Sequence, residues 1–560
     1  MAKELHSTSP SLARRSFWER WGVRAFTLDL RSLATYRIGI GLVLLADLIF
    51  RSRVLHAMYS DAGVLRRTDL RDFVEQTDRH SLWQWGDGTW SFHLLSGEPG
   101  WAMLLFGLAG IFAILLSLGL CTRVATIASF LLLVSLHNRN PFILHSGDTM
   151  LRLSLFWSMF LPLGQLWSVD AWLRRRRGQP PPLALGFYSP ASAGLVFQVF
   201  ILYFFTGVAK CNALWFQGDA MYVVLNLSIY VRDFGRELRN WPGFHQAISI
   251  ATVWTEILFP PLLLVGYRNA WWRWLNLLTF CGLHIGVLLS MSIGLFSFIC
   301  CVVWLALLPG SCWDFFGIRA TPGADPVTGR GGSSANGSLS RSTRRQGLQS
   351  AVNYFCAAMI PFMLIWNGLN LFPRLVVRPV ESVVAGAEIR EYVQRDNPLL
   401  AAYEWLGQAL GVGQHFQMFG SPYREDPWFL YRAKLVNTDQ VDIFEGGRAL
   451  RPRQPLKGIP AMPEFHWRKF HHDLVDNPVL AIRQRMLEYQ VEQWNHSHPP
   501  DEQVLSAVLE GYLDTVWPVP MLGEVRGATI WAKYPPNTAT SSAFDRLYEH
   551  VIGEGDNPGF

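Results

Sequence analysis

The stretch YFFTGVAKCNALWFQGDAM, residues 203–221, carries the most chemistry for its length: an apolar run ends at Lys210 and breaks into a Trp-Phe-Gln-Gly-Asp turn. Two readings of the lysine follow. Its long stem can lie along apolar surface while the ammonium snorkels to the lipid headgroups. Alternatively the amine is desolvated, held neutral by its surroundings and able to accept a proton. Tyr203 and Thr206 lie seven and four positions earlier, on the same face of a helix.

Other ionisable groups stand inside apolar segments, where each is costly unless it meets a partner or a cavity. They are Asp47, His137, Asp148, Arg152, Glu256 and His284. His284, between glycines and small residues, either bridges two helices or faces a ligand pocket. His137 opens a turn crowded with Asn138, Arg139, His145, Gly147 and Asp148, which reads as a structural polar knot or as a site for an anion or carbonyl. Glu256 is expected to pair with Arg152 or to accept a helix hydrogen bond. No phosphate-binding glycine loop, HExxH helix or GxSxG elbow is present, which argues against the common soluble hydrolases and ATP-driven transporters.

These groups need a membrane scaffold to hold them. Half of the 560 residues are hydrophobic, 16% are charged and 24 are Trp, the balance of a polytopic membrane protein. The net charge of +6 comes from arginines in short loops beside apolar runs, a pattern of membrane topology and not of nucleic-acid binding. The seven cysteines form no CxxC pair, so neither a disulfide framework nor a metal site is expected.

With about 20 residues per span as the ruler, nine candidate spans appear at 33–50, 101–120, 124–137, 149–167, 192–210, 246–266, 272–289, 293–309 and 352–372. The expected fold is therefore mainly α, a polytopic membrane helix bundle of about nine spans with a C-terminal extramembrane α+β domain. Its parts are an N-terminal cytoplasmic segment (1–32), a membrane domain (33–310), a flexible Gly/Ser/Arg-rich cytoplasmic linker (311–350), a last span (351–373) and an outer domain (374–560). Arginine placement puts the N-terminus in the cytoplasm and the last domain outside. It also brings His137, Lys210 and His284 to a similar outer depth. In the C-terminal part, two alternating stretches around Asn437–Thr438 predict a hairpin, and 474–495 predicts an amphipathic helix.

Five segments carry a family resemblance: LDLRSLATYRIGIGLVLLADL, HNRNPFILHSGDTMLRLSLFWSMFLPLGQLWSVDAW, YFFTGVAKCNALWFQGDAM, LHIGVLLSMSIGLFSF and, beyond the membrane, LGVGQHFQMFGSPYREDPWFLYRAKLVNTDQVDIFEGG. Over about residues 25 to 500 the chain resembles the HTTM membrane domain shared with vitamin K-dependent γ-glutamyl carboxylase, in its bacterial form. The resemblance implies a bacterial inner-membrane protein that uses a reduced quinone of the vitamin K or menaquinol type. It implies Lys210 as the base toward the hydroquinone and His284 as a hydrogen-bond partner of the quinone oxygen or its oxyanion. Tyr203, Thr206, His137 and Trp215 would contact the cofactor, and the substrate would be a peptide or small molecule outside the membrane. Where the carboxylase has two adjacent lysines this chain has Ala209 and Lys210, and no long substrate-recognition region is evident. The competing expectation is a non-catalytic quinone- or lipid-binding membrane protein that serves as a platform for its C-terminal domain.

Overall fold

The computed structural model describes residues 16–76, 89–180, 182, 184–318, 327–328, 339–371, 398–416, 418–422, 425–437, 439–444, 448–449, 464–476, 479–516 and 525–535. An amphipathic helix, Phe17–Phe26, starts on a Ser16–Glu19 capping box. The bundle proper follows: α1 (Leu30–Ser52), α2 (Pro99–Leu118), α3 (Thr122–Arg139), α4 (Ser146–Ser158), α5 (Pro190–Ala209), α6 (Pro242–Leu258), α7 (Asn269–Ser290), α8 (Phe296–Ala306) and α9 (Leu339–Leu371).

Among the described residues six helical segments are long and apolar enough to cross a membrane: Leu30–Ser52, Pro99–Leu118, Pro190–Ala209, Gly243–Leu264, Asn269–Ser290 and Gln346–Leu371. The chain is a multi-pass membrane protein. The other three apolar segments of the sequence also fold as helices, but α3 is less apolar, α4 has 13 residues and α8 has 11. Exposed Leu104, Leu108, Ile111 and Ile114 on α2 and Leu278, Ile285 and Leu289 on α7 make the lipid-facing surface. Inside, Tyr36 of α1 donates to the Ser154 carbonyl of α4 at 3.1 Å. Helix α9 starts at Leu339, within the segment expected as a linker.

Two sheets accompany the bundle. Strands β1 (Leu28–Asp29), β2 (Gly186–Tyr188) and β3 (Val327–Thr328) tie three distant connections together. The C-terminal part is α+β, with α10 (Pro398–Ala409), β4 (Glu425–Leu435), β5 (Gln440–Asp442), β6 (Arg448–Ala449), α11 (Phe465–Asp476), α12 (Leu480–Ser497), β7 (Val504–Thr515) and β8 (Val525–Tyr534). Its sheet is antiparallel in the order β6-β5-β4-β7-β8, and β4 and β5 form the expected hairpin.

This domain is fastened to the bundle by arginine forks aimed at carbonyls. Arg485 donates to the Gly63 and Ala62 carbonyls at 2.9 and 2.8 Å, and Arg468 to the Ile229 carbonyl at 3.0 Å. Arg152 donates to the Gly413 carbonyl at 2.6 Å, so its partner is backbone and not Glu256.

The domain also contains a buried acid-sensitive contact. His471 donates from Nδ1 to the Trp467 carbonyl at 2.7 Å and accepts from the Tyr431 hydroxyl at Nε2, at 2.6 Å, an arrangement that needs the neutral ring. Burial pushes the imidazole down to about 4, against about 6.5 in an unfolded chain. Between these values the unfolded chain binds a proton that the folded one does not. His471 therefore stabilises fully above pH 6.5, and that contribution is lost as pH falls toward 4. Thermal melting is expected to show a loss of about 2 kcal/mol between pH 7 and pH 5 that His471→Gln reduces. An unchanged pH slope in the variant would contradict the assignment.

Candidate functional site

Helix α5 places the lysine. Its last turn ends at Lys210, whose amide closes back on the Gly207 and Val208 carbonyls. Gly207 lets α6 come close: a Cβ there would lie 2.8 Å from Glu256 Cβ and 2.9 Å from its carbonyl carbon. Across that approach Lys210 Nζ donates to Glu256 Oε2 at 2.7 Å, with the two residues only 3% and 6% exposed. The ammonium also points at the Thr206 carbonyl, 3.5 Å away. Thr206 takes part through this backbone oxygen, because its hydroxyl donates to the Leu202 carbonyl one turn back.

The turn after Lys210 closes the site. Asn212 caps the short helix Ala213–Phe216 and donates to the Gly420 carbonyl at 2.6 Å. Trp215 presents its ring to Lys210 Nζ, 5.3 Å from the centroid, and donates its indole N–H to the Phe419 carbonyl at 2.8 Å. Lysine and C-terminal domain thus share one tryptophan.

About 10 Å along α5, by helical rise, Tyr203 organises a second cluster. Its hydroxyl is 2.8 Å from His284 Nε2 and accepts the Trp304 indole N–H at 3.0 Å. With Tyr203 donating to Nε2, the imidazole keeps its hydrogen on Nδ1, which is buried and has no partner among the described residues. Phe280 stacks on Tyr203 with centroids 3.8 Å apart, and Trp304 lies nearly parallel to Phe280 at 5.7 Å. Tyr203 and His284 therefore meet, as do Lys210 and Trp215, on two levels of one helix.

His137 belongs to neither level. It is wholly buried, with Nε2 3.8 Å from Asp148 and neither ring nitrogen hydrogen-bonded among the described residues. The hub there is Arg51, at the end of α1. Its guanidinium binds Asp47 at 2.9 Å, Asp148 at 2.6 Å and the Tyr59 hydroxyl at 2.9 Å, with no exposure. Asp148 also accepts the His145 amide at 2.9 Å, completing the cap of α4. The ring of Phe296 meets His284 at 5.3 Å, and its backbone abuts Gly147 in that cap, so the second and third clusters adjoin. Arg51 had a sequence signal: Asp47 stands four residues before it, the helical spacing of an ion pair.

The profile of the HTTM domain matches residues 27–311, just over half of the chain. The chain belongs to the HTTM family. No curated protein and no solved structure matches it. The HTTM match covers all three clusters and ends before α9, leaving the C-terminal domain outside it.

Whether the HTTM bundle suits a quinone ring rests on the second cluster. With the hydrogen on Nδ1, the unpartnered His284 nitrogen would donate to a ring oxygen, and the flat Tyr203, Phe280 and Trp304 rings beside it, which stack on one another, are of the type that lines a site for a flat ring. The residues fit the group in chemical type. In the arrangement described, Phe280 covers the Tyr203 face itself.

Proposed function

We propose that this HTTM protein is a membrane enzyme related in chemistry to vitamin K-dependent carboxylation, in which Lys210 and Glu256 together take a proton from a bilayer-dissolved hydroquinone. It would lie in a bacterial inner membrane, with the N-terminus cytoplasmic and the C-terminal domain offering a peptide or small molecule on the outer side. The observation that carries this reading is the buried lysine at a helix end, 2.7 Å from a buried carboxylate on the neighbouring helix. A proton shared over that distance can rest on either partner. When it rests on Glu256, the amine lone pair is free to receive another. His284 Nδ1–H would orient a ring oxygen, with Tyr203 fixing the tautomer through Nε2. Phe280 and Trp304 exclude water around it. A bound hydroquinone would supply electrons and, with oxygen, the strong base that such chemistry needs.

The test is quinol oxidation by protein reconstituted in vesicles. Lys210→Met is expected to lower the rate by about a hundredfold or more, and so is the double variant Lys210→Met/Glu256→Met, which leaves no buried charge unpaired and separates the lost rate from lost stability. A wild-type rate in either variant removes the reading.

One observation favours a second reading, a non-catalytic platform. Asn212 and Trp215, immediately after the lysine, are both spent on holding the 419–420 carbonyls of the C-terminal domain. Under that reading Lys210→Met leaves every activity unchanged, while Trp215→Ala loosens the domain and abolishes partner binding.

A further inference from the structure

The amphipathic helix Phe17–Phe26 and the connection between α6 and α7 meet in a seam at one end of the bundle. Trp21 donates its indole N–H to the Leu264 carbonyl at 2.9 Å, and Arg273 of α7 donates to the Ala25 and Thr27 carbonyls at 2.8 and 2.9 Å. The two chain segments touch at Gly266, where a Cβ would lie 3.0 Å from the Trp21 ring and 3.5 Å from Arg24 Cβ. The connection joins two helical segments long enough to span, Gly243–Leu264 and Asn269–Ser290, so the seam stands at the depth of lipid headgroups.

Its outer surface sets cations beside aromatic rings. Arg24 and Arg268 are exposed, and neither side chain makes an ion pair or a hydrogen bond among the described residues. Trp18 and Tyr267 are 72% and 71% exposed, and Trp271 stands out from the first turn of α7. Arg268 holds the N-cap position of α7 in a left-handed backbone, φ 51°, and its side chain makes no cap bond. That conformation is unfavourable for a residue with a Cβ, and no side-chain contact of Arg268 among the described residues offsets it.

Charge decides the class of partner. Between Glu256 and Asp314 the sequence holds no Asp or Glu. Glu19, the one carboxylate of Phe17–Phe26, is turned back to accept the Ser16 amide at 3.2 Å. Two exposed guanidiniums with no opposing acid favour a phosphate, whose oxygens match the planar fork, and a headgroup without an ammonium of its own leaves that attraction undivided. Toward the bilayer interior Trp271, Leu278 and Ile285 follow at seven-residue spacing, all exposed, an apolar track about 20 Å long on one side of α7. The hydrocarbon of one leaflet is about 15 Å deep, so the track suits an acyl chain. We propose that this seam binds an acidic glycerophospholipid, with Arg24 and Arg268 on its phosphate and one acyl chain along Trp271, Leu278 and Ile285. The site is distinct from the Lys210–Glu256 pair and does not depend on quinol chemistry.

The experiment uses the full chain in phosphatidylcholine vesicles doped with a photoreactive lipid that bears a diazirine in one acyl chain. The probe is either a phosphatidylglycerol or a phosphatidylcholine, and crosslinks are mapped by mass spectrometry. The phosphatidylglycerol probe is expected to label the stretch 271–285 about tenfold more than the phosphatidylcholine probe, a factor within what two arginines at a membrane surface supply. Arg24→Gln combined with Arg268→Asn is expected to erase that difference, asparagine being tolerated in the left-handed backbone. Arg123→Gln, at an exposed arginine in the first turn of α3, is expected to leave it intact, and so is an excess of inorganic phosphate. Equal labelling of the wild type by both probes, or a preference that persists in the double variant, overturns the proposal. So does a preference lost in Arg123→Gln, which would mean bulk charge, or one displaced by inorganic phosphate, which would mean a site for a free anion.

Discussion

Glu256→Gln is expected to destabilise the purified protein by about 3–5 kcal/mol, because it leaves the Lys210 ammonium buried and uncompensated. The double replacement Lys210→Met/Glu256→Met is expected to melt close to the wild type, since it removes both charges and fills the space with side chains of similar length. The comparison turns on a desolvation cost paired with a mutual attraction: either partner alone carries the cost without the attraction. Thermal midpoints in detergent, read for both single variants and the double, give the coupling directly. A double variant as unstable as the sum of the singles would mean that the 2.7 Å contact contributes nothing. The double variant has a further use, because it keeps the fold while lacking the base, and so separates loss of quinol oxidation from loss of structure.

The largest expected effect is at Arg51. Replacing it with leucine leaves Asp47 and Asp148 buried without their counter-ion and takes a donor from Tyr59. Each orphaned carboxylate is costly, and the loss is expected to exceed the 3–5 kcal/mol of a single broken pair. Arg51→Leu should therefore fail to accumulate as a monodisperse species in size-exclusion chromatography of the tagged protein. Arg51→Lys is expected to recover little, since a single ammonium cannot span three partners held by a planar fork. Adding Asp47→Asn and Asp148→Asn to Arg51→Leu removes the stranded charges and is expected to restore part of the yield. Wild-type yield and melting in Arg51→Leu alone would show that the cluster does not hold the bundle together.

The sequence made some of this architecture legible and concealed the rest for identifiable reasons. The membrane helices follow from runs of apolar residues, and Lys210 stood out because it ends one of them. The β4–β5 hairpin followed from alternation on either side of a polar turn. Pairing between helices was not legible, because nothing local to Glu256 marks it as the partner of a lysine 46 positions earlier. The signal lay instead in Gly207, one turn before the lysine, which permits the close approach of α6. Arg152, one of two partners expected for Glu256, reaches a backbone carbonyl in the C-terminal domain, and a backbone acceptor leaves no mark in sequence. His137 and Lys210 were expected at similar depth; depth fixes a level in the bundle but not a direction around it, and His137 faces Arg51 and Asp148 instead. The Tyr203–Phe280–Trp304 stack brings together three helices whose contact no single segment encodes.

Trp215 is a single rigid plane with the Lys210 ammonium over its face and the Phe419 carbonyl at its edge. In terms of linkage the two ends of that ring belong to one thermodynamic cycle. A ligand that prefers one placement of the 419–420 segment over another is an effector of Lys210, and an occupant of the lysine site is an effector of the domain by the same factor. The bundle and its C-terminal domain would then respond together, as one binding unit with two addresses.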